Sequence, residues 1–300
     1  MDKNQIRQVR NFNRAVTQRI GVLSDDYLGR GRPLGESRLL FEIGRSGADL
    51  RDLRARLALD SGYLSRMLRS LEAQGLVDSQ RAAGDGRVRR AVLTRKGLGE
   101  FDALDRRSQD FATSLLASLG AAHRERMVTA MAGVERLMRA SAVTIEPADP
   151  ASADARMCIE AYFSELEERF ETGFDPARTV SADPEELMPP AGRFLIARLD
   201  GRPVGCGGLK TTGPKLGEIK RMWVAPDARG LGIAQRLLDA MEEQAVRMGL
   251  DTLQLDTNRA LTEARALYAR NGYREIPRYN DNPYAHHWFE KRELQDHRSA

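Results

Sequence analysis

From about position 4 to Ala140, apolar residues recur mostly at three- and four-residue intervals, the spacing that lines them up on one side of a helix. The pattern predicts a short helix over about Leu50 to Leu59, burying Leu53 and Leu57, then a break at "LDSG". A second helix is predicted over Ser61 to Gln74, with Leu64, Met67, Leu68 and Leu71 on its buried side. Asp60 or Ser61 is placed to cap its start, and Gly75 stands where a helix ends. "LVDSQR" and "VRRAVLT" then read as two short strands of a hairpin around "AAGDG", and long helical patterns resume over 98–140.

The texture changes near Ser141. "SAVTIEPADP" holds a short β-branched strand and two prolines, followed by a helix from about Ala153 to Phe170. Strands "GRFLIARL" and "RPVGCGGL" are joined at the turn Asp200-Gly201, and "LGEIKRMWV", a helix, "TLQLDT" and another helix follow. Two domains are therefore expected, over 1–140 and 141–300: a mainly α one followed by an α/β one with a mixed sheet.

Charge sharpens that division. Residues 1–140 carry 26 basic and 17 acidic side chains, net +9, whereas the remainder carries 21 and 26, net −5. Only the first half is thus suited to a polyanion. Because 41 of the basic residues are arginines against six lysines, arginine count by itself says little. No apolar run is long enough to span a bilayer, and the polar start "MDKNQIRQVRNF" is unlike a signal peptide. Cys158 and Cys206 form no motif, so a cytoplasmic protein with reduced thiols and no membrane partner is expected.

On the helix over 61–74, Ser61, Tyr63, Ser65, Arg66 and Arg69 fall on or beside the face opposite the apolar stripe. Two short helices, a tight turn and an exposed face of hydroxyls and arginines are what a major-groove reading helix requires; the alternative is a solvated surface helix. A basic tip at Gly84, Asp85, Gly86 and Arg87 could lie in the adjacent minor groove. Ser65-Arg66, Leu71-Glu72, Gly75-Leu76-Val77, Asp85-Gly86-Arg87 and Leu93-Thr94 with Gly97 occur in the order found in the MarR family of winged-helix regulators, which residues 1–140 resemble. That resemblance implies a homodimer built from the first and last helices, bound to a palindromic double-stranded operator. Gly86 stands where many members carry a second arginine.

In the second half, "VAPDARGLGIAQRLL" takes a strand through a glycine-rich turn into a helix. Backbone amides from Arg229 through Gly230, Leu231, Gly232, Ile233 and Ala234 can cradle an anion there, with Arg229 adding a cation. A dinucleotide fingerprint would need a glycine at 235, which is glutamine, and no Gly-Lys-Ser/Thr is present, so a pyrophosphate held by amides remains. Val224 to Ala234 and Ala264 to Tyr273 carry the two motifs of the GNAT superfamily of N-acetyltransferases, and the likeness extends from Val143 to about Lys291. It implies acetyl-CoA as co-substrate, with its pantetheine arm against the backbone of Met222, Trp223 and Val224 and its amides met by Asn258. It further implies Glu218 as general base, through water, and Tyr268 as proton donor to the departing thiolate. The alternatives are a strand-end charge, a half-buried aromatic and, for Asn258, a helix-entry turn.

Lys220 and Arg221 should alternate across their strand, so that one meets a substrate carboxylate or both merely form ion pairs. His286 and His287 should face opposite ways on a strand, which would let His286 line the acceptor side. No ligand cluster suggests a metal. The combined expectation is a transcriptional regulator that also acetylates an amine acceptor, a small molecule or a protein. The rival readings are a sensor that binds acyl-CoA without turnover and an enzyme whose first half only dimerises.

Overall fold

The computed structural model describes residues 2–82, 85–179 and 182–294, apart from the side chains of 81, 82 and 85–88. The chain divides into two compact units, Met1–Ala130 and Met131–Ala300.

The first unit runs α1 (Lys3–Ile20), α2 (Leu34–Ile43), β1 (Ala48–Asp49), α3 (Leu50–Arg56), α4 (Ser61–Ala73), β2 (Val77–Ala82), β3 (Asp85–Leu93) and α5 (Arg95–Ala117). Leu64, Met67, Leu68 and Leu71 of α4 are buried together with Leu39, Leu40 and Ile43 of α2 and Leu53 of α3. Asp60 caps α4 by accepting the Tyr63 N–H at 2.8 Å, and this fixes where the helix begins. The expected hairpin is present as the antiparallel pair β2–β3, and β1 adds a third strand to β3. Arg30 and Arg32 converge on the buried carboxylate of Glu100 in α5, which ties the loop before α2 to that helix. None of the residues of α1 is buried: Ile6, Val9, Phe12, Val16 and Ile20 form an exposed apolar stripe. The long helical pattern over 98–140 is two helices, α5 and α6 (Ala121–Ser141), and the division between units falls inside α6.

The second unit continues with β4 (Val143–Pro147), α7 (Ala153–Arg169), β5 (Gly192–Leu199), β6 (Arg202–Gly213), β7 (Leu216–Val224), α8 (Ile233–Arg247), β8 (Thr252–Thr257), α9 (Thr262–Arg270), β9 (Arg274–Ile276) and β10 (His287–Lys291). Its seven strands lie in the order β4-β5-β6-β7-β8-β10-β9. The period of two along β5 separates two cores. Leu195, Ala197 and Leu199 join the cluster that includes Leu237, Leu238 and Met241 of α8, while Phe194 and Ile196 join Ala155, Cys158 and Ile159 of α7. Cys158 and Cys206 are buried free thiols.

Two irregularities in β7 create the site. Its parallel ladder with β8 runs only from Leu216↔Thr252 to Glu218↔Gln254, so beyond Glu218 the two strands part. On its other edge, Lys220 pairs with Gly208 but Trp223 pairs with Cys206, which leaves one extra residue in β7. Arg221, at φ 54°, marks this bulge.

Candidate functional site

Where β7 and β8 part, two cavities open and share one wall. The larger, about 440 Å³, runs along Met222, Trp223 and Val224 to Arg229, Gly230, Gly232, Ile233 and Ala234. The smaller, about 90 Å³, lies toward α7 and the end of β8 and includes Lys220, Arg221 and Asp256. Tyr162, Leu166, Met222, Leu261, Ala264 and Tyr268 line both.

The floor of the larger cavity is the glycine-rich turn. Gly230 (φ 78°) and Gly232 (φ 75°) adopt left-handed backbone, and a Cβ at either position would meet nothing within 4 Å. Gly232 is also the N-cap of α8, without a side-chain cap, so the first N–H groups of that helix open on the cavity side. Leu231 is buried in the core that α8 covers and does not line the cavity. Arg229 is anchored: its guanidinium meets Glu165 at 2.5 Å and donates to the Val224 carbonyl at 3.1 Å. Glu165 on α7 also accepts from Trp223 Nε1 at 2.9 Å and from Arg169 at 3.1 Å. Burial pushes its carboxyl up, but these donors outweigh burial and hold it below the ordinary carboxylate value.

At the shared wall, Tyr268 is 6% exposed and its hydroxyl donates to Met222 Sδ at 3.7 Å. Burial, followed by the negative charge of Asp256, raises its pKa above the ordinary tyrosine value, so the phenol keeps its proton.

Behind the smaller cavity lies a buried ionic network. Lys220 Nζ is 2.8 Å from Glu218 Oε1 and 2.8 Å from Asp256 Oδ1. Burial opposes its charge, but the two carboxylates prevail and its pKa is raised. Glu218 also accepts from the Tyr279 hydroxyl at 2.8 Å and from Asn280 at 3.3 Å, and Lys210 Nζ is 3.9 Å away. Asp256 accepts from Asn280 at 3.1 Å and from Asn282 at 2.5 Å. Glu218 lines neither cavity; the carboxylate on the wall of the smaller one is Asp256.

Other expected residues are placed differently. The bulge at Arg221 breaks the strand alternation, so Lys220 and Arg221 line the same small cavity instead of opposite faces. Asn258 is at the small cavity and not at the larger one, with its amide engaged by its own chain. It donates to the Tyr284 carbonyl at 2.8 Å and accepts the Ala260 N–H at 2.9 Å, the helix-entry turn weighed as its alternative. His286 is exposed, precedes β10 and lines neither cavity, while His287 Nδ1 pairs with Glu275 at 2.6 Å. Sequence reasoning missed Tyr162, Glu165, Arg169 and Asp256. The one local signal was Asp256 itself, a carboxylate in a strand that ends beside the turn into α9.

On α4 in the first unit, Ser61, Tyr63, Ser65, Arg66 and Arg69 are all exposed, and the Arg66 guanidinium lies 5.6 Å from the Tyr63 ring centre. The side chain of Arg87 and the hairpin tip at 83–84 lie outside the described residues. Among the described residues no helix is long and apolar enough to cross a membrane, and no group of three or more His, Cys, Asp or Glu is placed to hold a metal.

Comparison with known proteins bears on both units. Residues 158–273 match the acetyltransferase (GNAT) family, and residues 30–88 match the MarR family. This chain joins a MarR-family region to a GNAT acetyltransferase domain. Over 92 residues the chain is 42% identical to an IAA acetyltransferase of Azospirillum brasilense, covering 30% of this chain and 60% of that protein. Over 200 residues it is 28% identical to a mycothiol acetyltransferase of Pseudarthrobacter chlorophenolicus, covering 62% of this chain and 61% of that protein. Each match therefore takes in less than two thirds of the relative. A GNAT-family acetyltransferase structure from Staphylococcus aureus aligns with 51% of this chain and 100% of its own, at 20% identity and a TM-score of 0.45. The residues matched to the GNAT family line all of the larger cavity and all but Asn282 and Tyr284 of the smaller one, and the MarR region contains the exposed arginine face of α4.

Proposed function

We propose that the chain is a DNA-binding regulator whose GNAT domain transfers an acetyl group from acetyl-CoA to an amine. The observation that supports it most is the Tyr268 hydroxyl, a buried and protonated phenol on the wall common to a long glycine-floored cleft and a small ionic cavity. In this reading the amides of 229–234 hold the pyrophosphate of acetyl-CoA and the edge of Met222, Trp223 and Val224 faces its pantetheine arm. The amine enters from the smaller cavity.

An ammonium must lose a proton before its nitrogen can attack. Asp256, on the wall, takes that proton from the amine or from a water against it. Glu218 acts one step behind, holding the Lys220 cation that orients Asp256. The new N–C bond forms as the C–S bond breaks, and Tyr268 delivers a proton to the departing sulfur. In the MarR region, α4 enters the major groove through Ser61, Tyr63, Ser65, Arg66 and Arg69, with Arg87 on the wing. The apolar faces of α1 and α6 make the homodimer that matches a palindromic operator.

The test is free-thiol release from acetyl-CoA over a panel of amines, with coenzyme A affinity measured separately by calorimetry. Tyr268→Phe should keep that affinity and lose about 10²-fold in kcat, the lower end for a lost general acid because a thiolate is already a tolerable leaving group. Wild-type turnover in Tyr268→Phe would remove the donor assignment. Coenzyme A binding without thiol release for any amine would favour the alternative, an acyl-CoA-sensing regulator without significant turnover.

A further inference from the structure

The wall of the small cavity is of two kinds. One part is aromatic: the rings of Phe163, Phe174 and Tyr284 follow one another at centroid separations of 5.4 and 4.9 Å. The other part is ionic and consists of Lys220, Arg221 and Asp256. Arg221 is there because of the bulge. Its guanidinium lies 5.8 Å from the Phe163 ring centre and donates to the Ala182 carbonyl at 2.6 Å, which fixes its direction. Asp256 is held by Lys220, Asn280 and Asn282.

These charges discriminate between amines. A polyamine would bring a second ammonium against Arg221 and Lys220. A purely apolar amine would lay hydrocarbon against the Arg221 guanidinium, covering a charged group without a new hydrogen bond in return. A molecule carrying an amine and a carboxylate a short distance apart, with an apolar remainder, meets all three parts of the wall. At about 90 Å³ the cavity is much smaller than its neighbour of about 440 Å³, so that remainder must be compact.

We propose that the acceptor is a free α-amino acid with a compact apolar side chain. Its carboxylate lies on Arg221, its amine lies between Asp256 and Tyr268, and its side chain lies among Phe163, Phe174 and Tyr284. This rests on the acyl-transfer reading above.

The experiment compares leucine, its decarboxylated counterpart 3-methylbutylamine, leucine methyl ester and spermidine. Thiol release is followed in wild type, Arg221→Gln and Arg221→Lys, and leucine binding to the coenzyme A-saturated protein is measured by calorimetry. Both variants keep a non-glycine residue at φ 54°, and thermal melts verify their folding. Wild type should favour leucine over 3-methylbutylamine by about 10–100-fold in kcat/KM, as for one lost hydrogen-bonded charge. Arg221→Gln should bring that ratio close to one and weaken leucine binding. Arg221→Lys should recover part of both, because it restores the charge without the planar fork.

Equal wild-type use of 3-methylbutylamine or spermidine, or an unchanged ratio in Arg221→Gln, overturns the proposal. Leucine binding that depends on Arg221 without any thiol release upholds the subsite and overturns acyl transfer. Thiol release to other amines, with leucine neither bound nor acetylated, upholds acyl transfer and overturns the subsite.

Discussion

Gly232→Ala separates what the glycine-rich turn does for binding from what it does for folding. Gly232 sits at φ 75° and ψ 11°, and a methyl built on it meets no atom within 4 Å. The folding penalty is therefore the conformational one for an L-residue in left-handed backbone, about 1–2 kcal/mol. In a unit of this size each kcal/mol lowers the melting temperature by about 2–4 °C. Binding should suffer more. The methyl would occupy the space onto which the amides of the turn open, so a phosphate oxygen could not approach them. Each charge-assisted hydrogen bond lost is worth about 1.5–3 kcal/mol, or about ten- to a hundredfold in coenzyme A affinity. Gly249→Ala is the control: φ is 78°, a Cβ there is equally unobstructed, and it lines neither cavity. Calorimetry should show coenzyme A affinity falling in Gly232→Ala and holding in Gly249→Ala, with similar losses in melting temperature. Pantetheine, which lacks the pyrophosphate, should bind Gly232→Ala almost as it binds wild type. Coenzyme A affinity within twofold of wild type, or an equal loss for pantetheine, would refute the phosphate role of the turn.

Two further outcomes test the first unit. The hydrogen bond from Arg30 is the largest of the effects that lower the pKa of the Glu100 carboxyl to about 2, well below the ordinary carboxylate value. A depressed carboxylate stabilises the fold fully above its unfolded value and loses that effect as pH falls toward 2, so Glu100→Gln should cost about 2–3 kcal/mol at pH 7. Urea unfolding followed by circular dichroism should show the gap from wild type narrowing between pH 5 and pH 3, and a gap independent of pH would contradict it. Arg66→Ala should lose about 1–3 kcal/mol of affinity for a palindromic operator if the guanidinium reads a base, with wild-type binding falling steeply as salt rises. A gel-shift titration showing salt-independent binding, or equal affinity in the variant, would remove α4 as the reading helix.

What was legible in the sequence is what repeats. The stripe of Leu64, Met67, Leu68 and Leu71 follows from the helical period, because burial in a helix is decided by neighbours three and four residues away. The turn at 229–234 was legible for a related reason: two glycines placed at left-handed positions mark a backbone path that other residues would strain to follow. The ionic network was not legible because, apart from the pairing of Glu218 with Lys220 and Lys210, its contacts join residues 24 to 62 apart. Nothing local to Glu218 indicates that Tyr279 and Asn280 will cover it, nor that it will be turned away from the cavity that Asp256 reaches.

Arg221 shows most clearly why a periodic reading fails at a site. Strict alternation puts Lys220 and Arg221 on opposite faces, and it would be correct for a regular strand. The extra residue in β7 cancels it, and the residue in left-handed backbone is an arginine, not the glycine or asparagine that would have signalled a bulge. The bulge brings the guanidinium of Arg221 and the ammonium of Lys220 to one wall. Three residues earlier along β7, on its other edge, the loss of pairing to β8 after Glu218 opens the space they face. Without the bulge, the next side chain on the Lys220 face would be Met222, and the small cavity would lack the cation on which its proposed selectivity for a carboxylate depends.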